Sequence, residues 1–191
     1  MRIKYTTGLA VAAGLLAMAV GGATIHAAVT QNSTDVPKAI PDNNLAGVNS
    51  TLNFTVAGTI TDANLNIGSL THSFDGDIEF RLTRPGGAQV LVSSDCGVNG
   101  VNFTNTVFSD EGAVPNCTAA GAPFTGNFQG APNGVVNATV MTAFDGFASN
   151  GVWTLNVADD SGLDTGTLNA WGLTLDGAPP LPVELQKLEV K

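Results

Sequence analysis

Short stretches of alternating apolar and polar residues recur along this chain, each bounded by Gly, Pro, Asn or Asp. Residues 52–56 read Leu-Asn-Phe-Thr-Val, residues 78–82 Ile-Glu-Phe-Arg-Leu, and residues 153–157 Trp-Thr-Leu-Asn-Val. Residues 63–67, 89–92, 135–140 and 170–175 have the same texture. A strand turns successive side chains to opposite faces, so a period of two marks a strand with one buried side. Ile78, Phe80 and Leu82 would face a core together, as would Trp153, Leu155 and Val157. No window carries apolar residues at helical spacing for the length of a long amphipathic helix. Strands recurring roughly every ten residues between turn formers predict an all-β sandwich or barrel.

The two ends of the chain depart from this pattern. Residues 1–28 begin with Arg2 and Lys4, continue through an apolar run from Gly8 to Ala23, and close on small residues. That is the three-part pattern of a secretory signal peptide, and the expectation is a secreted protein. Residues 29–42 are polar, hold Pro37 and Pro41, and read as a flexible lead-in. The sandwich is expected over residues 43–177. Residues 178–191 read as a Pro-rich linker with a short alternating tail.

Composition narrows the class. At 43% hydrophobic and 12% charged, the chain is too apolar to stay unfolded. Its formal charge is −9, and losing Arg2 and Lys4 would make it more negative. Such a surface repels nucleic acid and anionic lipid and suits cations, so neither nucleic acid nor, after signal removal, a membrane is an expected partner. Cys96 and Cys117 are the only cysteines. In an exported chain the pair reads as a disulfide, closing a loop worth about 3 kcal/mol on the chain-entropy model.

The carboxylates are few but grouped. Asp75-Gly76-Asp77, Ser109-Asp110-Glu111-Gly112, Phe144-Asp145-Gly146, and the run from Asp159 and Asp160 to Asp164 each fall in a loop beside a strand. Like charges that converge need a cation, and calcium outside the cell takes six to eight oxygens from such side chains and from loop carbonyls. The plainer alternative is that Asp and Gly make turns. A Ser-His-Asp triad would need a histidine base. His72 stands next to Ser73, but adjacent strand residues face opposite ways, and no Gly-x-Ser-x-Gly elbow is present. A two-carboxylate glycosidase would have few aromatic platforms for a sugar.

The stretch from Thr71 to Ile78, Thr-His-Ser-Phe-Asp-Gly-Asp-Ile, followed by Leu82-Thr83-Arg84-Pro85-Gly86-Gly87, resembles the P domain of proprotein convertases. The resemblance continues through residues 100–104, Phe108-Ser109-Asp110-Glu111, residues 150–155, and residues 164–171 to Trp171. It runs from about Ile40 to Leu175. In that family the module follows a subtilisin-like catalytic domain. The resemblance implies a jelly-roll-like, galactose-binding-like β-sandwich without catalytic residues. It also implies structural calcium held by Asp77 with Asp75 beside it, and by Asp110 with Glu111. Many relatives carry an acid where Phe147 stands here, so Asp145 or a carbonyl would have to substitute. Asp159, Asp160 and Asp164 form a weaker second candidate site.

The expected function is a secreted, non-enzymatic, calcium-binding interaction module. Its partner would be a subtilisin-like protease or another exported protein. Two other readings remain: a cell-surface structural or adhesion module, and an accessory part of a serine endopeptidase whose catalytic domain is a separate chain.

Overall fold

Each alternating stretch has one apolar side to hide, and two sheets laid face to face hide them together. The computed structural model describes residues 28–118 and 124–177. The expected signal peptide, apart from Ala28, and the expected tail therefore lie outside the described residues. Ten strands follow one another: β1 (Val29–Asn32), β2 (Lys38–Ile40), β3 (Asn44–Phe54), β4 (Asp62–His72), β5 (Ile78–Thr83), β6 (Gln89–Ser93), β7 (Phe103–Ala113), β8 (Phe124–Phe128), β9 (Gly151–Asp159) and β10 (Gly166–Asp176). One sheet has the order β1-β10-β4-β7-β8, with β2 also on β10. The other has the order β3-β9-β5-β6. Every pairing is antiparallel except β7 with β8. The all-β sandwich is the fold the pattern predicts.

The core sits between the sheets. Leu65, Ile67, Leu70, Leu173 and Leu175 from the first sheet meet Phe80, Leu82, Trp153, Leu155 and Val157 from the second, all fully buried. An aromatic chain joins the layers: Phe80 meets Phe103 edge-on at 5.0 Å, and Phe103 stacks on Phe124 at 5.1 Å. Both tryptophans bury their rings and satisfy their N–H groups. Trp153 Nε1 donates to the Ser149 carbonyl, and Trp171 Nε1 to Ser50 Oγ.

Several features depart from the sequence reading, among them β8, which no alternating stretch marked. Residues 29–42 are not a loose lead-in. β1 and β2 pair with β10, and side chains of β1 and of the segment after it bind along the outer edge of β3 and its end. Gln31 Oε1 accepts from Thr55 N, Asp35 Oδ2 from Thr51 N, and Ser33 Oγ donates to the Thr51 carbonyl. Polar side chains thus stand in for a neighbouring strand and close an exposed edge. Residues 135–140 are not a strand. Asn137 Oδ1 accepts from Thr139 N and Thr139 Oγ1, closing a local turn that competes with ladder bonding. β7 was hidden because its period breaks: Phe103, Thr106 and Phe108 are buried, while Thr104 and Asn105 are both exposed and Asn105 has φ 50°.

Candidate functional site

The acidic groups divide between two ends of the sandwich. β4 carries Asp62 at one end and His72 at the other, and its eleven residues span about 33 Å. Asp75 and Asp77, with Asp159, Asp160 and Asp164, lie at the His72 end. Asp110, Glu111 and Asp145 lie near Asp62. The five carboxylates expected as one calcium set therefore do not meet. Among the described residues, no group of three or more His, Cys, Asp or Glu side chains is placed to hold a metal ion by itself.

At the His72 end, β4 passes into β5 through a single 3₁₀ turn, Asp75–Asp77. The loop of residues 95–102 wraps it. Asp75 N donates to the Gly100 carbonyl at 2.7 Å and Gly76 N to the Val98 carbonyl at 2.9 Å. Cys96 in this loop is bonded to Cys117, as the cysteine count led us to expect. Gly97, at φ 112°, presses directly on Asp75. A Cβ there would lie 3.0 Å from the Asp75 Cβ and 2.4 Å from the Phe124 ring.

Asp75 is the unusual residue. It is 0% exposed, and neither carboxylate oxygen has a hydrogen-bond partner. Burial pushes its pKa up to about 7. The Asn102 N–H, which would oppose the shift if it reached the carboxylate, donates to the His72 carbonyl instead, at 3.2 Å. A buried carboxylate without donors calls for a proton or a cation. Asp77 is also raised, first by burial and then by repulsion from Asp159, Asp160 and Asp164. Asp160 is raised by burial, then by Asp95 and Asp159. Asp160 N donates to the Asp77 carbonyl, tying the β9–β10 loop to the turn.

His72 is spent on structure. Its Nε2 lies 3.1 Å from Asp159 Oδ2, both side chains are buried, and its Nδ1 bonds the Phe74 backbone. Asp159 Oδ1 accepts from Ser161 N. Ser73 Oγ faces away and donates to Asp164 Oδ1 at 2.5 Å. With Asp159 and the Phe74 backbone on its ring nitrogens and no serine hydroxyl on either, His72 is not arranged as the base of a Ser-His-Asp triad.

At the other end, Asp110 clamps the 3₁₀ turn Met141–Phe144. Its Oδ1 accepts from Met141 N at 2.9 Å, and its Oδ2 from Thr142 N at 2.7 Å and from Thr142 Oγ1. Both oxygens are committed to the turn. Asp145 follows the turn. Its Oδ1 is buried without a partner, and its pKa is raised by burial and then by Asp62, Asp110 and Glu111. Asp62, an isolated acid in the sequence, joins this group only through the fold. Burial and the Glu111 charge raise it. Phe147 lies flat under Arg84, whose guanidinium carbon is 3.5 Å from the ring centre.

Comparison with known proteins places this arrangement. The family profile described as proprotein convertase P-domain matches residues 63–175, more than half of the chain. No curated protein matches. Among solved structures, the Aeromonas sobria serine protease in complex with its chaperone (ORF2) is similar at a TM-score of 0.51 and 17% identity. The match covers 80% of this chain and 27% of that one. The same organism's serine protease in a second crystal structure aligns at a TM-score of 0.49, 17% identity and the same coverage. The chain thus spans about a quarter of the length of these structures, and the likeness is one of fold.

Proposed function

This chain belongs to the proprotein convertase P-domain family, and from that premise we propose that it is an exported, non-catalytic module that binds calcium and docks on a subtilisin-like serine protease. The observation that carries the calcium reading is Asp75: a fully buried carboxylate with two unpartnered oxygens beneath a disulfide-bonded loop. Oxygen donors suit calcium. Asp75, with Asp77 on the same turn, would hold it, and the loop would contribute backbone oxygens in place of further carboxylates. Asp145, whose Oδ1 is also unpartnered, is a second candidate ligand at the far end, within the fields of Asp62 and Glu111. When bound, calcium would neutralise the buried charge and fix the loop of residues 95–102 against the turn. Protease docking is supported by the family.

Thermal unfolding in calcium and in chelator tests the cation. A ligand that binds only the folded state adds about 2.7 kcal/mol at a hundredfold excess over its dissociation constant. Calcium should raise the melting temperature of the native chain, and Asp75→Asn should abolish the rise while folding normally in chelator. Superimposable curves for the native chain would refute the calcium reading. An unchanged rise in Asp75→Asn would move it to the Asp145 end.

A further inference from the structure

Seven residues other than glycine have positive φ among the described residues: Asn43, Asp95, Val98, Asn102, Asn105, Asn133 and Leu163. Five are Asn or Asp, whose short polar side chains tolerate that conformation. The two aliphatic residues are the anomaly. A branched or bulky side chain in the left-handed region is a strained choice, and glycine would fit better. Leu163 has φ 92° and its side chain is 98% exposed, so it gives the fold no packing in return. Val98 has φ 49° and is 39% exposed.

Both lie at the same end of the sandwich, on the two loops that grip the Asp75–Asp77 turn. Val98 supplies the carbonyl that accepts from Gly76 N, and the Leu163 loop supplies Asp160 N to the Asp77 carbonyl. The Leu163 loop is held on every side. Leu163 N donates to Asp42 Oδ1, Asn43 N to the Ser161 carbonyl, Ser161 N to Asp159 Oδ1, and Ser73 Oγ to Asp164 Oδ1. A loop so constrained keeps its strained residue in place, and strain retained without internal gain points to a use outside the fold. Val101 and Leu45, also exposed, sit on the same loop as Val98 and at the start of β3. The surround is acidic: Asp42, Asp77, Asp95, Asp160 and Asp164.

We propose that this end, with Leu163 as the projecting anchor and Val98 beside it, is the docking surface for a protein partner that presents an apolar hollow rimmed by Lys and Arg. A loop backbone held in place in advance loses little freedom on binding, and the acidic surround selects and steers a basic rim. The partner class rests on the protease reading above, while the location of the surface rests on Val98 and Leu163.

The probe is an active-site-blocked subtilisin-like protease that has no P domain of its own. Its affinity is measured by titration calorimetry against the native chain, Leu163→Gly, Leu163→Asp and Leu163→Met. Leu163→Gly should melt about 2–4 °C higher, because glycine relieves the backbone, yet bind at least tenfold more weakly. Leu163→Asp should bind more weakly still, and Leu163→Met should retain affinity. Binding should also fall as salt is raised. Equal affinity for native, Gly and Asp forms would overturn the docking surface while leaving the protease reading intact. No binding by the native chain would overturn both. Binding to anionic lipid vesicles that Leu163→Asp abolishes, with none to the protease, would overturn the protein partner in favour of a membrane.

Discussion

Asp110 was expected to hold calcium, and the structure gives it another task that can be separated by measurement. Its carboxylate receives the N–H groups of Met141 and Thr142 and the Thr142 hydroxyl. Met141 and Phe144, in the turn it clamps, are fully buried. Removing the carboxylate in Asp110→Ala therefore frees two amides and loosens two core side chains. Each hydrogen bond to a charged group contributes about 1.5–3 kcal/mol when sheltered. These are partly exposed, and helix-end caps of this kind contribute about 0.5–2 kcal/mol. Two amide bonds and one weaker hydroxyl bond give a loss of about 2–3 kcal/mol, or roughly 5–10 °C in melting temperature for a domain of this size. Asp110→Asn keeps one acceptor oxygen and should lose about half. Denaturant unfolding of the three forms, once in calcium and once in chelator, decides the issue. A clamp produces the same loss in both conditions. A loss confined to calcium would refute the clamp and restore Asp110 as a ligand.

Two further outcomes follow from the same end-to-end separation of carboxylates. Asp75 titrates near 7 when folded and near 3.9 when unfolded, so between those values the folded state holds a proton that the unfolded state has released. Its contribution is therefore complete below about pH 4 and is lost as pH rises through 7. In chelator, denaturant unfolding should show a decline on the order of 3 kcal/mol from pH 5 to pH 8, which Asp75→Asn flattens. A native chain that gains stability over that range would overturn the buried-carboxylate account. Reducing the Cys96–Cys117 bond should cost about 3 kcal/mol by the loop it closes. It should also weaken the calcium-dependent rise in melting temperature, because the bridge anchors the loop over Asp75. A rise of equal size after reduction would show that the loop needs no bridge to keep its place.

Most of the sandwich was legible in the sequence, since a strand with one buried face writes its period directly into residues such as Ile78, Phe80 and Leu82. β1 and β2 were not legible. They lie at an edge, their backbones do the pairing, and Gln31, Ser33 and Asp35 reach sideways to β3, a role that looks identical to a polar linker. The chemistry of the acids was legible as a set but not as a map. Asp75 and Asp110 belong to acidic clusters that look alike in the sequence, although Asp110 and Glu111 lie within β7 and not in the expected loop. One is sealed without a donor and the other is saturated by backbone amides, and only the packing of remote segments separates those fates. The sequence by itself determined the β class, the disulfide partners and the pool of candidate ligands, because these follow from local period, cysteine count and residue type. Only the tertiary structure decided which carboxylates are neighbours, that Asp62 joins Asp145, that His72 is spent on Asp159, and that Leu163 stands strained and uncovered. Each of these depends on contacts between residues far apart in the chain, and on water being excluded at Asp75 but not at Leu163.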